Sequence, residues 1–319
     1  MLADVIYILV GFVLLIKGAD ILVKGATSIA QKAGVSYFVI GLTIVAFGTS
    51  MPELVVNLIA SMKGTTDIAV GNILGSNMAN ILLIVGLTAL FMPLDVNIYA
   101  RKRDIPYAFL AALVLLFLAV EPFGRLSGIG ALTRVEGLLL IGGFLYFLSF
   151  VLRSSRDAIL DEEVYEEAIS PLRAGVYVIA GLVGLYLGGD VIVEHATAIA
   201  RSFGVSDILI SSTIVAFGTS LPELATSLLA VYKKNSDIAV GNIVGSNIFN
   251  ILWVLGISAL ITPIPVPGSL FVDMAAVVLA TLLLLGIVHV KKEYIIGRSG
   301  GIILFVSYLA YLFMLFLRG

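Results

Sequence analysis

The chain has no cysteine, one tryptophan and two histidines, and only 13% of its 319 residues are charged. Without cysteine there is no disulfide framework, no thiolate metal site and no cysteine nucleophile. Scarce charge beside 60% hydrophobic residues and a mean hydropathy of +1.12 excludes an ordinary soluble globular domain. The net charge of −2 excludes little, because in a membrane protein the placement of charge matters more than its sum. A cleavable signal peptide is not expected either: the first apolar run lacks a basic leader and an A-x-A-like cleavage site. Polar runs are equally scarce. The one long example is "RSSRDAILDEEVYEEAISPLR", Arg153 to Arg173.

What is abundant is apolar sequence in lengths suited to about 30 Å of hydrocarbon. Ten spans are predicted: 4–30, 37–62, 68–92, 105–120, 129–152, 173–200, 207–232, 238–262, 270–290 and 300–317. The fold class expected is therefore an all-α polytopic membrane protein. The acidic stretch, taken as a cytoplasmic linker over 153–172, separates a first five-span half (1–152) from a second (173–319).

The halves are copies. Residues 41–53 and 211–223 agree at ten of thirteen positions, 67–82 and 237–252 at thirteen of sixteen, and 26–36 and 196–206 at seven of eleven. Each pair is offset by 170 without a gap, which marks an internal duplication. Five spans per copy is an odd number, so the second copy enters from the opposite side. This predicts an inverted repeat, the architecture of many secondary transporters, with the substrate near the midplane. With both termini outside, the inner connections hold thirteen Lys and Arg residues and the outer ones five, as the positive-inside rule requires.

Within each copy a proline and a glutamate interrupt an apolar span: "TIVAFGTSMPE" (43–53) and "TIVAFGTSLPE" (213–223). Pro52 and Pro222 each remove a backbone donor, so the helix is expected to loosen over Ala46–Thr49 and over Ala216–Thr219 and release carbonyls. Such carbonyls persist at membrane depth only where protein, water or a cation satisfies them. Glu53 lies three and four residues after Ser50 and Thr49, and Glu223 stands in the same relation to Ser220 and Thr219. Each set shares one helical face. An ionised carboxylate at this depth costs at least about 2.5–3.5 kcal/mol, and no Lys or Arg lies at similar depth in these spans. A mobile cation is the simplest compensation.

The following spans add oxygen along one ridge: Asn72, Ser76 and Asn80, then Asn242, Ser246 and Asn250. Gly71 with Gly75, and Gly241 with Gly245, are expected to form small-residue stripes for close helix approach. Carboxylates, hydroxyls, amides and carbonyls together suit a hard cation such as Ca²⁺. Single features of this kind are often structural; their duplication in register favours an ion site. Asp67 and Asp237 are expected to cap helices. Lys17, Asp20 and Lys24 are expected to form an ion-paired face. Asp190, Glu194 and His195 lie toward the outer interface, with a minor prospect of an ion-entry or proton role.

The duplicated "GTS(M/L)PE" followed by "GNIxGSNxxN" resembles the α-repeats (37–92 and 207–262) of the calcium/cation antiporter superfamily, in particular short prokaryotic members of its sodium/calcium exchanger branch. The resemblance implies an antiporter exchanging Ca²⁺ for Na⁺ by alternating access, both ions sharing a central carboxylate site. It implies cation ligands at Glu53, Glu223, Thr49, Ser50, Thr219, Ser220, Ala46, Ala216, Ser76 and Ser246, to which the ridge reading adds Asn80 and Asn250, and a gate formed by spans one and six. Asn250 stands where potassium-dependent exchangers carry an aspartate, which disfavours K⁺ co-transport. The third-span glutamate of calcium/proton exchangers is missing, which leaves Ca²⁺/H⁺ exchange as the alternative and a cation channel as the remoter one. The short linker has no room for a regulatory domain, which suggests a prokaryotic protein.

The expectation is thus a multi-pass protein of the cell membrane and no enzyme. No H-E-x-x-H is present, and "LGGD" (187–190) pairs with "KGAD" (17–20) as part of the duplication rather than as a protease motif. No cofactor, nucleic acid or protein partner is expected. The partners are Ca²⁺, Na⁺ (H⁺ in the alternative) and the lipid bilayer.

Overall fold

The computed structural model describes residues 1–119, 130–154, 169–204, 216–266, 268–290 and 294–318. Most of the acidic linker (155–168) and the start of the seventh predicted span (205–215) lie outside the described residues. The first copy contains α1 (Leu2–Ala33), α2 (Tyr37–Ile40), α3 (Ala46–Thr49), α4 (Met51–Met62), α5 (Thr66–Met78), α6 (Val85–Phe91), α7 (Ile105–Ala119) and α8 (Arg134–Ser154). The second contains α9 (Pro171–Ser202), α10 (Ala216–Thr219), α11 (Leu221–Tyr232), α12 (Ser236–Ile248), α13 (Leu255–Ile261), α14 (Gly268–Val290) and α15 (Arg298–Arg318). Seven described helices are long and apolar enough to cross a bilayer, and the pair Tyr37–Thr49 and Met51–Met62, bent by 44°, would make an eighth.

The duplication extends to secondary structure. α3, α4, α5 and α6 return as α10, α11, α12 and α13 at the same 170-residue offset. So do wide π turns, at Ala79–Ile84 and Phe249–Val254. A further π turn, Gly41–Val45, precedes α3. Such turns appear most often at functional sites, because widening the helix re-aims side chains.

The chain divides into two compact units, Met1–Pro52 with Val151–Asn242 and Glu53–Phe150 with Ile243–Gly319, so each unit draws on both sequence copies. In the first unit α1 packs along α9 over most of its length. Glycines at seven-residue intervals make this approach possible, Gly11, Gly18 and Gly25 on α1 facing Gly188, Gly181 and Ala174 on α9. A Cβ at Gly18 would lie 2.7 Å from the Leu185 amide nitrogen, and one at Gly181 2.7 Å from that of Leu22. Backbone meets backbone, which is how helices associate where lipid removes the hydrophobic drive. Val5, Leu9, Val13 and Ile16 of α1 are exposed apolar residues, suited to lipid contact.

Asp20 fastens α1 to the residue just after α11. Its carboxylate lies 2.6 Å from Lys233 Nζ and 3.3 Å from Lys24 Nζ. The pairing expected within span one therefore exists and extends to a second helix. At the opposite end of α1, Asp4 contacts His195 Nδ1 at 3.0 Å, and Tyr7 stacks on the His195 ring.

In the second unit α6 packs on α15 and α7 on α14. Two short antiparallel pairings tie loops together: β1 (Leu94–Asp95) with β4 (Ile295–Ile296), and β2 (Gly130–Leu132) with β3 (Ile264–Val266). The Arg101 guanidinium sits 3.2 Å from the centroid of Tyr294. Phe144, Phe249 and Trp253 form an aromatic cluster.

Candidate cation site

Each copy breaks its helix at one residue, Ser50 and Ser220, rather than loosening over the preceding turn. Pro52 and Pro222 consequently sit in the first turns of α4 and α11, where a missing N–H is one the helix could not have used. The Ala46 carbonyl is not released: it accepts the Ser50 N–H at 3.1 Å. Proline at 52 withdraws an N–H from the Gly48 carbonyl, four residues earlier, and leaves the Ala46–Ser50 bond untouched. The break also places Glu53 and Glu223 in first turns, where the partial positive charge of the helix N-terminus favours a carboxylate. Composition gave no warning of that support.

In the first unit, Ser50 Oγ donates to Glu223 Oε1 at 2.8 Å, and both residues are fully buried. Thr49 Oγ1 donates to Asn242 Oδ1 at 3.0 Å and lies 3.4 Å from the Ala46 carbonyl. Asn242 donates in turn to Ser227 Oγ at 3.1 Å and the Glu223 carbonyl at 3.4 Å. Its oxygen and its nitrogen are thus both engaged, which makes Asn242 a brace rather than a free ligand. Ser220 is buried and Thr219 half-buried. Ala216 opens α10. A cavity of about 200 Å³ reaches the break, lined by Gly48, Thr49, Pro52, Leu182, Leu185 and Pro222.

In the second unit, Ser76 Oγ donates to Glu53 Oε1 at 3.2 Å, both fully buried. Asn72 Nδ2 donates to Asn57 Oδ1 at 2.8 Å, and Asn57 Nδ2 to the Ala69 carbonyl at 3.0 Å. Asn72, like Asn242, is therefore a brace. Ser246 is fully buried. Asn80 and Asn250, also fully buried, each direct the amide nitrogen into a protein bond and leave the Oδ1 without a hydrogen-bond donor among the described residues. A buried acceptor left in that condition costs about 1–3 kcal/mol, so two at equivalent positions call for a function. A cation is the ligand that needs an acceptor and brings no donor.

Sequence reasoning overlooked Asn57, Asn77, Ser227 and Asn247. Asn77 and Asn247 were legible as repeat mates within "GSNxxN" but lie off the ridge of Asn72, Ser76 and Asn80. One expectation is corrected. Thr65 and Asn235, not Asp67 and Asp237, precede the helices; Asn235 Oδ1 accepts the Ile238 N–H at 3.1 Å, while Asp237 lies inside the first turn. Close helix approach is seen at Gly241, where a Cβ would fall 2.6 Å from the Phe38 carbonyl; the residues at the matching offset from Gly71, 208–212, lie outside the described residues. Among the described residues no group of three His, Cys, Asp or Glu gathers. Donors beyond the two carboxylates are therefore hydroxyls, amides and carbonyls, which suit Na⁺ and Ca²⁺ rather than soft metals.

The family model described as sodium/calcium exchanger protein matches residues 4–153 and 174–317. The chain is 42% identical to the putative antiporter CaxA of Alkalimonas amylolytica, over 99% of both chains. It is 35% identical to the sodium/calcium exchanger MaX1 of Methanosarcina acetivorans, over 97% of both. A solved structure of the sodium-calcium exchanger NCX_Mj, soaked with Na⁺ and Ca²⁺, superposes with a TM-score of 0.83 at 32% identity, covering 98% of each chain.

Proposed function

The chain belongs to the sodium/calcium exchanger family, a family of membrane antiporters, and from that premise we propose that it exchanges Ca²⁺ for Na⁺ across the cell membrane. Glu53 and Glu223 serve as the shared charged ligands of both ions. Around them we assign Thr49, Ser50, Thr219, Ser220, Ser76, Ser246, the carbonyls of Ala46 and Ala216, and the amide oxygens of Asn80 and Asn250. The observation that carries this reading is the pair of repeat-related glutamates, each fully buried in a first helical turn. Each also accepts a serine hydroxyl.

Charge explains how one site handles both ions. Two ionised carboxylates carry −2, which one Ca²⁺ or two Na⁺ neutralise, so either loaded form avoids most of the penalty for charge in a low-dielectric interior. A third Na⁺ meets no formal charge and binds through dipoles such as those of Asn80 and Asn250. Exchange of three Na⁺ for one Ca²⁺ then moves one net charge per cycle.

The ten spans form two inverted five-span repeats joined by the 153–172 linker, with both termini outside. Alternating access is supported by the unequal surroundings of equivalent repeat positions: Leu221 is buried where Met51 is exposed. Two copies of one sequence held in different environments suit a cycle that exchanges those environments. Ca²⁺ uptake into proteoliposomes under an outward Na⁺ gradient, compared with an outward proton gradient, tests the proposal. Uptake should follow Na⁺. Uptake that ignores Na⁺ and follows the pH gradient would replace it with Ca²⁺/H⁺ exchange.

A further inference from the structure

We propose that Asn77 and Asn247 are positioning residues that lock the amides of Asn250 and Asn80 so that only their oxygens are offered to the transported cation. The inference deepens the reading above and rests on it. Asn80 Nδ2 donates to Asn247 Oδ1 at 3.3 Å, and Asn250 Nδ2 donates to Asn77 Oδ1 at 3.2 Å. All four residues are buried in the second unit. The two bonds are repeat images of each other, since 77 and 80 become 247 and 250 at the 170-residue offset.

An unrestrained amide can turn over and exchange its NH₂ for its oxygen. An NH₂ facing a cation repels it, so a ligand amide has to be held one way round. The crossed bonds favour this: against the amides of Asn247 and Asn77 as they stand, turning Asn80 over would bring two oxygens together, and so would turning Asn250 over. Among the described residues the amide oxygens of Asn80 and Asn250 have no protein donor, and Asn77 Nδ2 has no acceptor. Both ligand asparagines sit in the π turns Ala79–Ile84 and Phe249–Val254, and both clamp residues precede those turns on α5 and α12. A straight α-helix would space the positions differently, which gives the π turns a reason to recur.

The test uses the single tryptophan, Trp253, which lies three residues from Asn250 in the same π turn. Its fluorescence in the purified full-length protein reports cation binding without transport. Asn77→Leu and Asn247→Leu keep side-chain bulk and remove the acceptor. Each should raise the half-saturating Na⁺ and Ca²⁺ concentrations by about tenfold or more, the effect expected when the partner of a metal ligand is lost. Maximal exchange rate and cation-free melting temperature should change much less. Asn77→Asp keeps an acceptor oxygen and should bind at least as tightly as wild type.

Leucine variants that bind like wild type would overturn the clamp while leaving the exchanger reading intact. Weakened binding in a folded Asn77→Asp protein would overturn it as well, and that variant decides the matter where a leucine variant fails to fold. Absence of both a cation response and Ca²⁺ transport in wild type would remove the underlying reading, and the clamp with it.

Discussion

Replacing Glu223 by Gln should separate the two ions that share the site. Gln can still accept the Ser50 hydroxyl, which lies 2.8 Å from Glu223 Oε1, so the fold should survive. What disappears is one formal charge. At about 4 Å and an effective dielectric constant of about 20, a unit charge pair is worth about 4 kcal/mol, hence about 8 for a divalent ion. The insertion penalty of the carboxylate is present with and without the ion and cancels, so Ca²⁺ should lose roughly twice as much binding free energy as a single Na⁺, about 8 against about 4 kcal/mol as an upper bound. Radiolabelled Ca²⁺ uptake and Na⁺ titration of the purified protein measure both. Near-wild-type Ca²⁺ transport, or equal losses for the two ions, would refute the charge argument. Glu53→Gln should behave alike.

Asn250→Asp adds a third carboxylate beside the site and should tighten cation occupancy and slow release; faster turnover would count against the dipole role of Asn250. Gly18→Leu drives a side chain into the α9 backbone, 2.7 Å away at the Cβ alone, and should lower the melting temperature sharply. Asp104, just before the fourth predicted span, is fully buried, and burial raises its pKa to about 6 against the opposing Arg103 guanidinium. Its folded pKa exceeds the unfolded one, so the stability it contributes is present below about pH 4 and lost as the pH rises through about 6. Asp104→Asn should flatten the melting temperature over that interval, and an unchanged pH profile would contradict the assignment. The Asp20–Lys233 pair is partly exposed, so a double-mutant cycle on melting temperature should return a coupling of about 1 kcal/mol or less.

The duplication and the apolar helices were legible because each rests on residue type and spacing alone, and of the ten predicted spans the described residues give seven helices long enough to cross a bilayer, or eight with the bent pair. The 170-residue offset places α3–α6 onto α10–α13 before any coordinates are considered. The division into units was not legible. Contiguous sequence halves are expected from the repeat, yet α4 and α12 each carry a unit boundary within one helix, at Pro52–Glu53 and Asn242–Ile243. Helical periodicity describes one segment at a time and carries no information on which segments pack. The site was legible by residue type and less so by role. The ridge of Asn72, Ser76 and Asn80 assumes 3.6 residues per turn, and the π turn beginning at Ala79 breaks that assumption. Asn72, before that turn, donates its amide to Asn57, and Asn77, off the ridge, meets Asn250; spacing along one helix does not show such partners on other segments. The Ala46 carbonyl stays bonded because the N–H it accepts belongs to Ser50, while Pro52, in the first turn of α4, lacks an N–H that the helix start does not use.

The reversal potential of Ca²⁺ flux in proteoliposomes, at fixed Na⁺ and Ca²⁺ gradients, tests coupled exchange most directly. The account predicts that net Ca²⁺ flux reverses at a potential set by both gradients together, with one charge per cycle worth about 2.3 kcal/mol per 100 mV. Reversal at the Ca²⁺ equilibrium potential whatever the Na⁺ gradient would describe a channel and contradict it.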